Sequence, residues 1–210
     1  MNIIEQLNWR YATKVFDPVK KISPEDFNEL LEATRLAPSS YGLPLWKAFV
    51  VKNPEIRAKL KEAAYNQSQI VDAAELIVFV VPQKINENLI DSYIELVANT
   101  RLIPVESLID YKKMMLGAIT GRSDDELQAW AGKQACIALG FLLETAALKS
   151  IDACPMEGFN ASKVNEILDL EAKGYASVLL CPLGYRSDSD PYMKAHKVRF
   201  SQDEVFTEIK

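Results

Sequence analysis

The chain has 210 residues, and its hydrophobic content of 49% is enough for the full core of a single domain. Its 29 acidic and 24 basic side chains give a net charge of −5, which argues against a protein that binds nucleic acid by neutralising phosphates. One histidine and three cysteines without a Cys-x-x-Cys spacing argue against a disulfide framework and a zinc site. We therefore expect one domain over residues 1–210, with no metal.

Sequence motifs limit the chemistry further. No Gly-x-Ser-x-Gly, Gly-x-Gly-x-x-Gly or Gly-x-x-x-x-Gly-Lys motif is present, so we expect a bound cofactor to carry any reaction. The N-terminus lacks the basic start and long apolar run of a signal peptide, and apolar stretches such as residues 76–82 are too short to cross a bilayer. These features predict a cytoplasmic protein.

The first predicted element is an extended segment at residues 10–17 (RYATKVFD), where β-branched and aromatic residues are mixed with charged ones. Successive side chains of an extended chain point to opposite sides. Arg10, Ala12 and Lys14 therefore share one face. Two cations on one face make this segment a candidate site for an anion.

The middle of the chain predicts more helix than strand. Ser23 is a capping residue for a helix that starts at Pro24 and runs to about residue 36. Residues 76–81 form a continuous apolar run, which is typical of a strand buried on both faces, and residues 124–149 predict a long central helix. The other predicted elements are a loop at 38–44, a strand at 48–52, helices at 54–64, 89–101, 105–119 and 162–170, and extended segments at 151–154 and 175–181. This pattern is neither regular βαβ nor all-helical, so the predicted fold class is α+β.

A second pair of cations lies near the end of the chain, where residues 195–200 (AHKVRF) are also predicted to be extended. Lys197 and Arg199 then share a face, as Arg10 and Lys14 do. Taken singly, such pairs are usually solvated surface charges. Brought together by the fold, the four cations would enclose one phosphorylated ligand, because arginine forks and lysine charges suit a phosphate dianion.

Four motifs occur in order along the chain: residues 10–17, the turn Pro38-Ser39-Ser40 followed six residues later by Trp46, residues 155–159 (PMEGF), and residues 197–199 (KVR). Each is weak alone, but together they resemble the FMN-dependent nitroreductase family, in its oxygen-insensitive NAD(P)H nitroreductase and flavin reductase branch. The resemblance implies an α+β nitroreductase-like fold with a central, mostly antiparallel sheet surrounded by helices. It also implies an intertwined homodimer with FMN at the subunit interface.

The resemblance also implies a set of site residues. The cofactor-binding positions are Arg10, Tyr11, Ala12, Lys14, Pro38, Ser39, Ser40, Asn66, Gln134, Pro155, Met156, Glu157, Gly158, Lys197 and Arg199. Within this set, the turn at residues 38–40 reaches the flavin of the partner subunit, and Asn66 lies near the pyrimidine edge. Gln134 lies beside the ribityl chain, and the backbone N–H groups of Glu157 and Gly158 address flavin N5 and O4.

Several positions depart from the family pattern and bear on the substrate. Ala12 stands where relatives often have serine, and Gln69 where they often have a lysine near the nicotinamide or substrate. The residues expected to contact substrate are Tyr41, Gln69 and Leu116, with Leu116 or Met115 in place of an aromatic roof over the site. His196 is expected to be structural or exposed, because nothing in the implied reaction needs it.

The function implied by the resemblance is FMN-dependent NAD(P)H oxidation by a ping-pong reaction. Hydride passes through flavin N5 to a nitroaromatic or quinone acceptor, and no side-chain acid or base is required. We expect Lys14 to support the reduced flavin, because reduction places negative charge near N1 and the C2 carbonyl. Two alternatives remain open: a dedicated flavin reductase that supplies reduced FMN, and a flavin-binding protein without turnover.

Overall fold

Four antiparallel strands form the sheet at the centre of the computed structural model, which describes residues 2–209. In the order in which they lie side by side, the strands are β1 (Lys47–Val50), β2 (Glu75–Pro82), β4 (Tyr175–Gly184) and β3 (Asp152–Ala153). The helices are α1 (Ile3–Trp9), α2 (Pro24–Arg35), α3 (Pro54–Ala63), α4 (Gln69–Asp72), α5 (Glu87–Arg101), α6 (Ile109–Ile119), α7 (Asp124–Leu148), α8 (Ala161–Ile167) and α9 (Gln202–Val205). The predicted α+β class and mostly antiparallel sheet are confirmed.

Strand β2 is the centre of the sheet because it pairs with β1 on one side and β4 on the other. Its apolar run from Leu76 to Val81 is buried throughout, as the sequence predicts for a strand covered on both faces. The pairing with β4 shifts by one residue between Phe79 and Val80, which leaves Val178 as a bulge. The burial of β2 on both sides shows that helices cover both faces of the sheet.

Helix α7 is the long central helix that the sequence predicts. It starts with a capping box between Ser123 and Glu126, and it packs against α2 and β2. Ala131, Ala138 and Leu142 are fully buried. By length and composition alone α7 would also be long and apolar enough to cross a membrane, but the core helix of a folded domain meets the same criterion. Its packing in this fold is that of a core helix.

Three short helices, α1, α4 and α9, were not predicted, because four to seven residues are too few for a periodic apolar face. Within the described residues, α1 buries none of its side chains, and Asn2 caps it by accepting from the N–H of Ile4 at 2.9 Å. The single helix predicted at 105–119 is divided into a 3₁₀ turn at Val105–Leu108 and α6. These short elements are set by local capping and by neighbouring structure.

The N-terminal segment at residues 10–17 is extended, as predicted. It forms backbone bridges from Ala12 to Ala153 beside β3 and from Phe16 to Arg186 beyond the end of β4. Thr13 between these bridges is fully buried, while Lys14 is exposed. Phe16 is buried as well, so the alternation expected of a strand does not continue past Lys14.

Gly184 allows this segment to pack closely. A Cβ atom at Gly184 would lie 3.0 Å from the backbone nitrogen of Ala74 and 3.0 Å from Phe16 Cδ1. We expect Gly184→Ala to lower the free energy of unfolding by about 1–3 kcal/mol, because backbone cannot move aside cheaply. Urea denaturation measures this change.

Gly117→Ala is the matched control, since Gly117 lies within α6 and a Cβ there meets no atom within 4 Å. We expect this variant to be unchanged or more stable by up to about 1 kcal/mol, because alanine favours helix over glycine. Equal stability changes in the two variants would contradict the packing role of Gly184.

Candidate functional site

A cavity of about 520 Å³ opens between the N-terminal segment and the C-terminal tail. The cations from both ends of the chain meet here: Arg10 and Lys14 line one side, and Lys197 and Arg199 line the other. The remaining lining residues are Asn8, Trp9, Tyr11, Ala12, Arg186, Tyr192, Met193, Ala195 and His196. The structure thus brings together six predicted cofactor-binding positions, Arg10, Tyr11, Ala12, Lys14, Lys197 and Arg199.

These four cations are not paired with an acid in the part of the chain that the structure describes. Among residues 2–209, no carboxylate forms an ion pair with Arg10, Lys14, Lys197 or Arg199. Burial and the positive charge of Arg199 lower the pKa of Arg10, and burial together with both arginines lowers the pKa of Lys197. Lys197 Nζ donates a hydrogen bond to the backbone oxygen of Arg10, which joins the two ends of the chain. The cavity is therefore a concentrated positive site suited to an anion.

Asp190 fixes the backbone beside this cavity. Its Oδ2 atom accepts from the N–H groups of Lys14 at 2.7 Å and Val15 at 2.9 Å, and its Oδ1 atom accepts from the N–H of Tyr192 at 2.8 Å. Burial opposes ionisation of this carboxyl, but the three backbone hydrogen bonds lower its pKa. Asp190 is only 4% exposed. Backbone N–H groups satisfy the Asp190 carboxylate, so the Lys14 ammonium stays available to a ligand.

A second group of predicted residues lies on the loop after β3. Met156 is buried and exchanges backbone hydrogen bonds of 2.8 and 3.0 Å with Leu180 of β4, whereas Glu157 and Gly158 are exposed. Gln67 Nε2 donates to the oxygen of Gly158 at 2.9 Å, which ties this loop to the left-handed turn at Asn66. Asn66 is therefore held close to the loop.

The backbone donors of this loop are free. Within the described residues, the N–H groups of Glu157 and Gly158 form no hydrogen bond to the protein. Exposed donors without an acceptor are available to a ligand. Pro155, which has no N–H, precedes them and is half-buried. The loop therefore offers two adjacent backbone donors at one edge.

Cys154 links the loop to the cavity. The thiol is 1% exposed, and burial raises its pKa, while the nearby positive charges of Lys14 and Arg10 lower it. Gln69 at the start of α4 also lowers the pKa of this thiol and is itself 6% exposed. Its predicted contact with substrate stays a prediction. Burial was not visible in the sequence, because α4 is too short for a periodic pattern.

A third group is the turn at residues 38–42, held by α6 and α7. The N–H of Ser40 donates to Gln134 Oε1 at 2.8 Å, and Trp130 Nε1 donates to Ser40 Oγ at 3.3 Å. Tyr111 on α6 donates to the backbone oxygen of Tyr41, which has a left-handed φ of 58°. Within the described residues, no hydrogen bond or ion pair joins this turn to the cation cavity. Pro38 and Ser39 lie at its start, exposed and half-buried respectively.

Gln134 and the residues predicted to cover the site are less exposed to solvent than the sequence predicts. Gln134 is 4% exposed, and its amide nitrogen is directed to the oxygen of Trp130 at 3.4 Å, so both ends of the amide are used within the chain. Met115 is 1% exposed and belongs to the hydrophobic core, which excludes it from the surface of this chain. Leu116 is half-buried against the same core, and Tyr41 is half-buried edge-to-face with Trp130.

Sequence reasoning missed four residues that shape the site. Asp190 and Gln67 act through hydrogen bonds to the backbone, and Arg186 lines the cavity beside Trp9. His196 is exposed, as expected, but it also lines the cavity. No spacing in the sequence indicates these contacts, because several of the partners lie more than 90 residues apart.

Comparison with known proteins identifies the class. The model of the Nitroreductase family matches residues 7–185 of the chain. A curated relative from Staphylococcus epidermidis, named "Putative NAD(P)H nitroreductase SERP2086", is 35% identical over 99% of this chain and 97% of its own length. A second, "Putative NAD(P)H nitroreductase SSP0379" from Staphylococcus saprophyticus, is 35% identical over 97% and 94%. The chain belongs to the nitroreductase family, a family of oxidoreductases, as its motifs predict.

Solved structures support the fold independently. The nitroreductase ydfN of Bacillus subtilis superposes with a TM-score of 0.86 at 21% identity, covering 98% of both chains. A nitroreductase from Exiguobacterium sibiricum, determined in complex with FMN, superposes with a TM-score of 0.83 at 22% identity, covering 100% of this chain and 98% of the other. At these identities the likeness establishes a common fold.

The contacts of Gln134 lead to a prediction that separates a positioning role from ligand contact. We expect Gln134→Leu to lower the free energy of unfolding by about 1–3 kcal/mol, because the N–H of Ser40 loses its acceptor in a partly buried place. Urea denaturation of the flavin-free protein measures the effect.

Gln128→Leu is the comparison, because Gln128 lies on the same helix and its amide bonds to Gln83 rather than to the turn. Unchanged stability of the flavin-free Gln134→Leu protein, with reduced flavin binding, would indicate direct ligand contact and contradict the positioning role.

Proposed function

We propose that the protein is an FMN-dependent NAD(P)H oxidoreductase of the nitroreductase and quinone reductase type. The observation that carries this proposal is the convergence of Arg10, Lys14, Lys197 and Arg199 on one cavity without an acidic partner among residues 2–209. The proposal also rests on family membership and on the NAD(P)H nitroreductase names of relatives with 35% identity.

The donor set fits the phosphate of FMN. A flavin phosphate carries close to two negative charges at neutral pH, with three acceptor oxygens. Arg10 and Arg199 offer forked donors, and Lys197 adds a point charge held between them. Binding of a dianion would relieve the repulsion that lowers the pKa values of Arg10 and Lys197. Ala12 adds no hydroxyl donor, so phosphate binding depends on the cations.

The loop after β3 fits the edge of the flavin ring. The free N–H groups of Glu157 and Gly158 are donors for the ring heteroatoms, and Asn66 is held beside this loop through Gln67 and Gly158. Lys14 lies between the loop and the phosphate end, near Cys154, where its charge would stabilise negative charge on the ring. When bound, FMN supplies two-electron hydride transfer between NAD(P)H and an acceptor. The chain's own residues hold the cofactor and orient it.

The exposed face of α7 supports a homodimer as the working form. Ile137 is 40% exposed and Phe141 39% exposed on a helix that is otherwise a core element. On the same helix, Gly132 and Gly140 have nothing within 4 Å of a Cβ position, which leaves room for close approach of a second chain. Burial and the charge of Glu157 raise the pKa of Cys136 on this helix, in keeping with an α7 face that lies near the loop after β3. The turn at residues 38–40 would then reach the flavin of the partner subunit.

Flat acceptors such as quinones and nitroaromatics suit a site formed mainly by backbone edges and an open cavity. The proposed setting is the cytoplasm. A preference for free FMN as acceptor would favour a dedicated flavin reductase. Bound FMN without reduction by NADH or NADPH would favour a flavin-binding protein without turnover.

The visible absorption spectrum tests the proposal first. We expect the purified protein to be yellow, with FMN released on denaturation, and to oxidise NADH or NADPH in the presence of menadione or a nitroaromatic. Arg199→Ala should retain less FMN because a phosphate donor is lost. A charge-matched control is Arg35→Ala, since Arg35 pairs with Glu32 on the exposed face of α2. Colourless wild-type protein that gains no activity with added FMN would reject the proposal.

The lowered pKa of Lys197 predicts a pH limit on flavin binding. A bound phosphate raises the pKa of this amine, so its contribution to binding is complete below the pKa in the free protein and is lost as pH rises through the pKa in the complex. Because the free-protein pKa lies below the ordinary lysine value of 10.5, we expect FMN affinity to fall in moderately alkaline solution. Titration of flavin fluorescence at successive pH values measures this fall.

Lys197→Arg gives the test its control, because an arginine stays protonated over the whole range. The alkaline loss of affinity should move to higher pH in this variant. An identical pH profile in the two proteins would show that another group governs the loss.

A further inference from the structure

Arg186 is the most elaborately held cation of the cavity. Its guanidinium carbon lies 4.0 Å from the ring centroid of Trp9 and 4.5 Å from that of Tyr11, so two aromatic rings contact one planar group. Cation–π contacts of this kind favour arginine, whose guanidinium stacks as a plane. We call Trp9 and Tyr11 the aromatic pair.

The charge of Arg186 is already neutralised. Asp152 on β3 is 3% exposed, and its Oδ1 atom accepts from Arg186 Nε at 2.8 Å, while its Oδ2 atom accepts from the backbone N–H of Arg186 at 2.8 Å. Arg186 Nη2 lies 2.5 Å from the same Oδ1, a close charge contact outside hydrogen-bonding alignment. Arg186 therefore differs from Arg10, Lys197 and Arg199, which have no acidic partner in the described chain.

The same carboxylate holds the N-terminal segment. Thr13 is fully buried, and its hydroxyl donates to Asp152 Oδ1 at 3.2 Å. The backbone of Arg186 pairs with Phe16, and the neighbouring N–H of Ser187 donates to the oxygen of Val15 at 2.9 Å. Arg186 and Asp152 thus join β3, the end of β4 and the N-terminal segment through one buried ion pair.

The ion pair has a consequence for the cavity because the aromatic pair flanks Arg10 in the chain. Trp9 ends α1 and Tyr11 follows Arg10, and all three side chains line the cavity together with Arg186. We call Arg10, Ala12 and Lys14 the cation face. Holding the aromatic pair on Arg186 and Thr13 on Asp152 fixes the backbone that carries the cation face.

We propose that Arg186 is a positioning residue: its guanidinium holds the aromatic pair and thereby keeps the cation face directed at the phosphate of a bound ligand. The inference rests on the proposed FMN site and deepens it. Affinity for the phosphate therefore depends on contact of the planar guanidinium of Arg186 with both aromatic rings. The positive charge of Arg186 is paired with Asp152, so it adds little attraction for the phosphate.

Two substitutions test this role. Arg186→Lys keeps the charge but removes the planar stacking group, and Trp9→Leu removes one ring while leaving the Arg186–Asp152 ion pair intact. The second variant carries the test if weakening of a buried ion pair prevents the first from folding. Arg35→Lys, at an exposed arginine paired with Glu32, is the matched control.

The readout is the dissociation constant of FMN compared with that of riboflavin, which lacks the phosphate, on flavin-stripped protein. We expect each variant to raise the FMN constant about tenfold while the riboflavin constant stays within about twofold. The double variant should raise the FMN constant by less than the product of the two single effects, because both substitutions disrupt the same stack. The control should match the wild type.

Three results would overturn the inference. The first is wild-type FMN affinity in Arg186→Lys, which would make charge the only requirement. The second is an equal loss of FMN and riboflavin affinity, which would indicate a general structural defect. The third is a double variant in which the FMN dissociation constant rises by the full product of the two single effects. Wild-type protein that binds no FMN would instead reject the proposed function itself, a result distinct from normal binding in both wild type and variants.

Discussion

The site depends on like charges that are held together without an acidic partner from residues 2–209. Arg10, Lys197 and Arg199 face one cavity in a protein whose acidic side chains outnumber its basic ones, 29 to 24. Their repulsion and burial lower the pKa values of Arg10 and Lys197, so the charged cavity opposes folding of the free protein. An anion that removes the repulsion binds the folded state only, and it therefore stabilises the fold as it binds.

Two buried carboxylates make this arrangement possible without neutralising it. Asp152 and Asp190 are 3% and 4% exposed, and each is bound to groups that fix backbone. Asp190 accepts three backbone hydrogen bonds beside Lys14, and Asp152 is paired with Arg186 and Thr13. Because both acids are already satisfied, neither pairs with the side chains of Arg10, Lys14, Lys197 or Arg199. The acids determine where the N-terminal segment runs, and the cations remain open to a ligand.

The sheet and α7 place the other two parts of the site. Strand β4 holds the loop of Glu157 and Gly158 through Met156, and α7 holds the turn at residues 38–42 through Gln134. The first part joins the cation cavity through Cys154. The turn lies apart from it within one chain, which is consistent with a proposed site completed across two copies of the nitroreductase fold.

The sequence determined the features that depend on local periodicity. The apolar run of β2, the capping of α2 at Ser23 and the long α7 could all be read from residue patterns, because helices and strands repeat every 3.6 and 2 residues. The same alternation placed Arg10, Ala12 and Lys14 on one face. The family motifs indicated the candidate residues and the class of oxidoreductase. The sequence alone predicted only which side of its own helix or strand each side chain faces.

Tertiary structure decided which of those side chains are open and what holds them. Gln69 and Gln134 read as polar site residues, but packing buries both, and the amide of Gln134 bonds to Ser40 and Trp130. The contacts of Asp152 with Arg186, and of Asp190 with Lys14, join residues 34 and 176 positions apart. Such contacts follow from how β3, β4 and the two ends of the chain pack, and a pairing between distant segments leaves no periodic signal in the sequence.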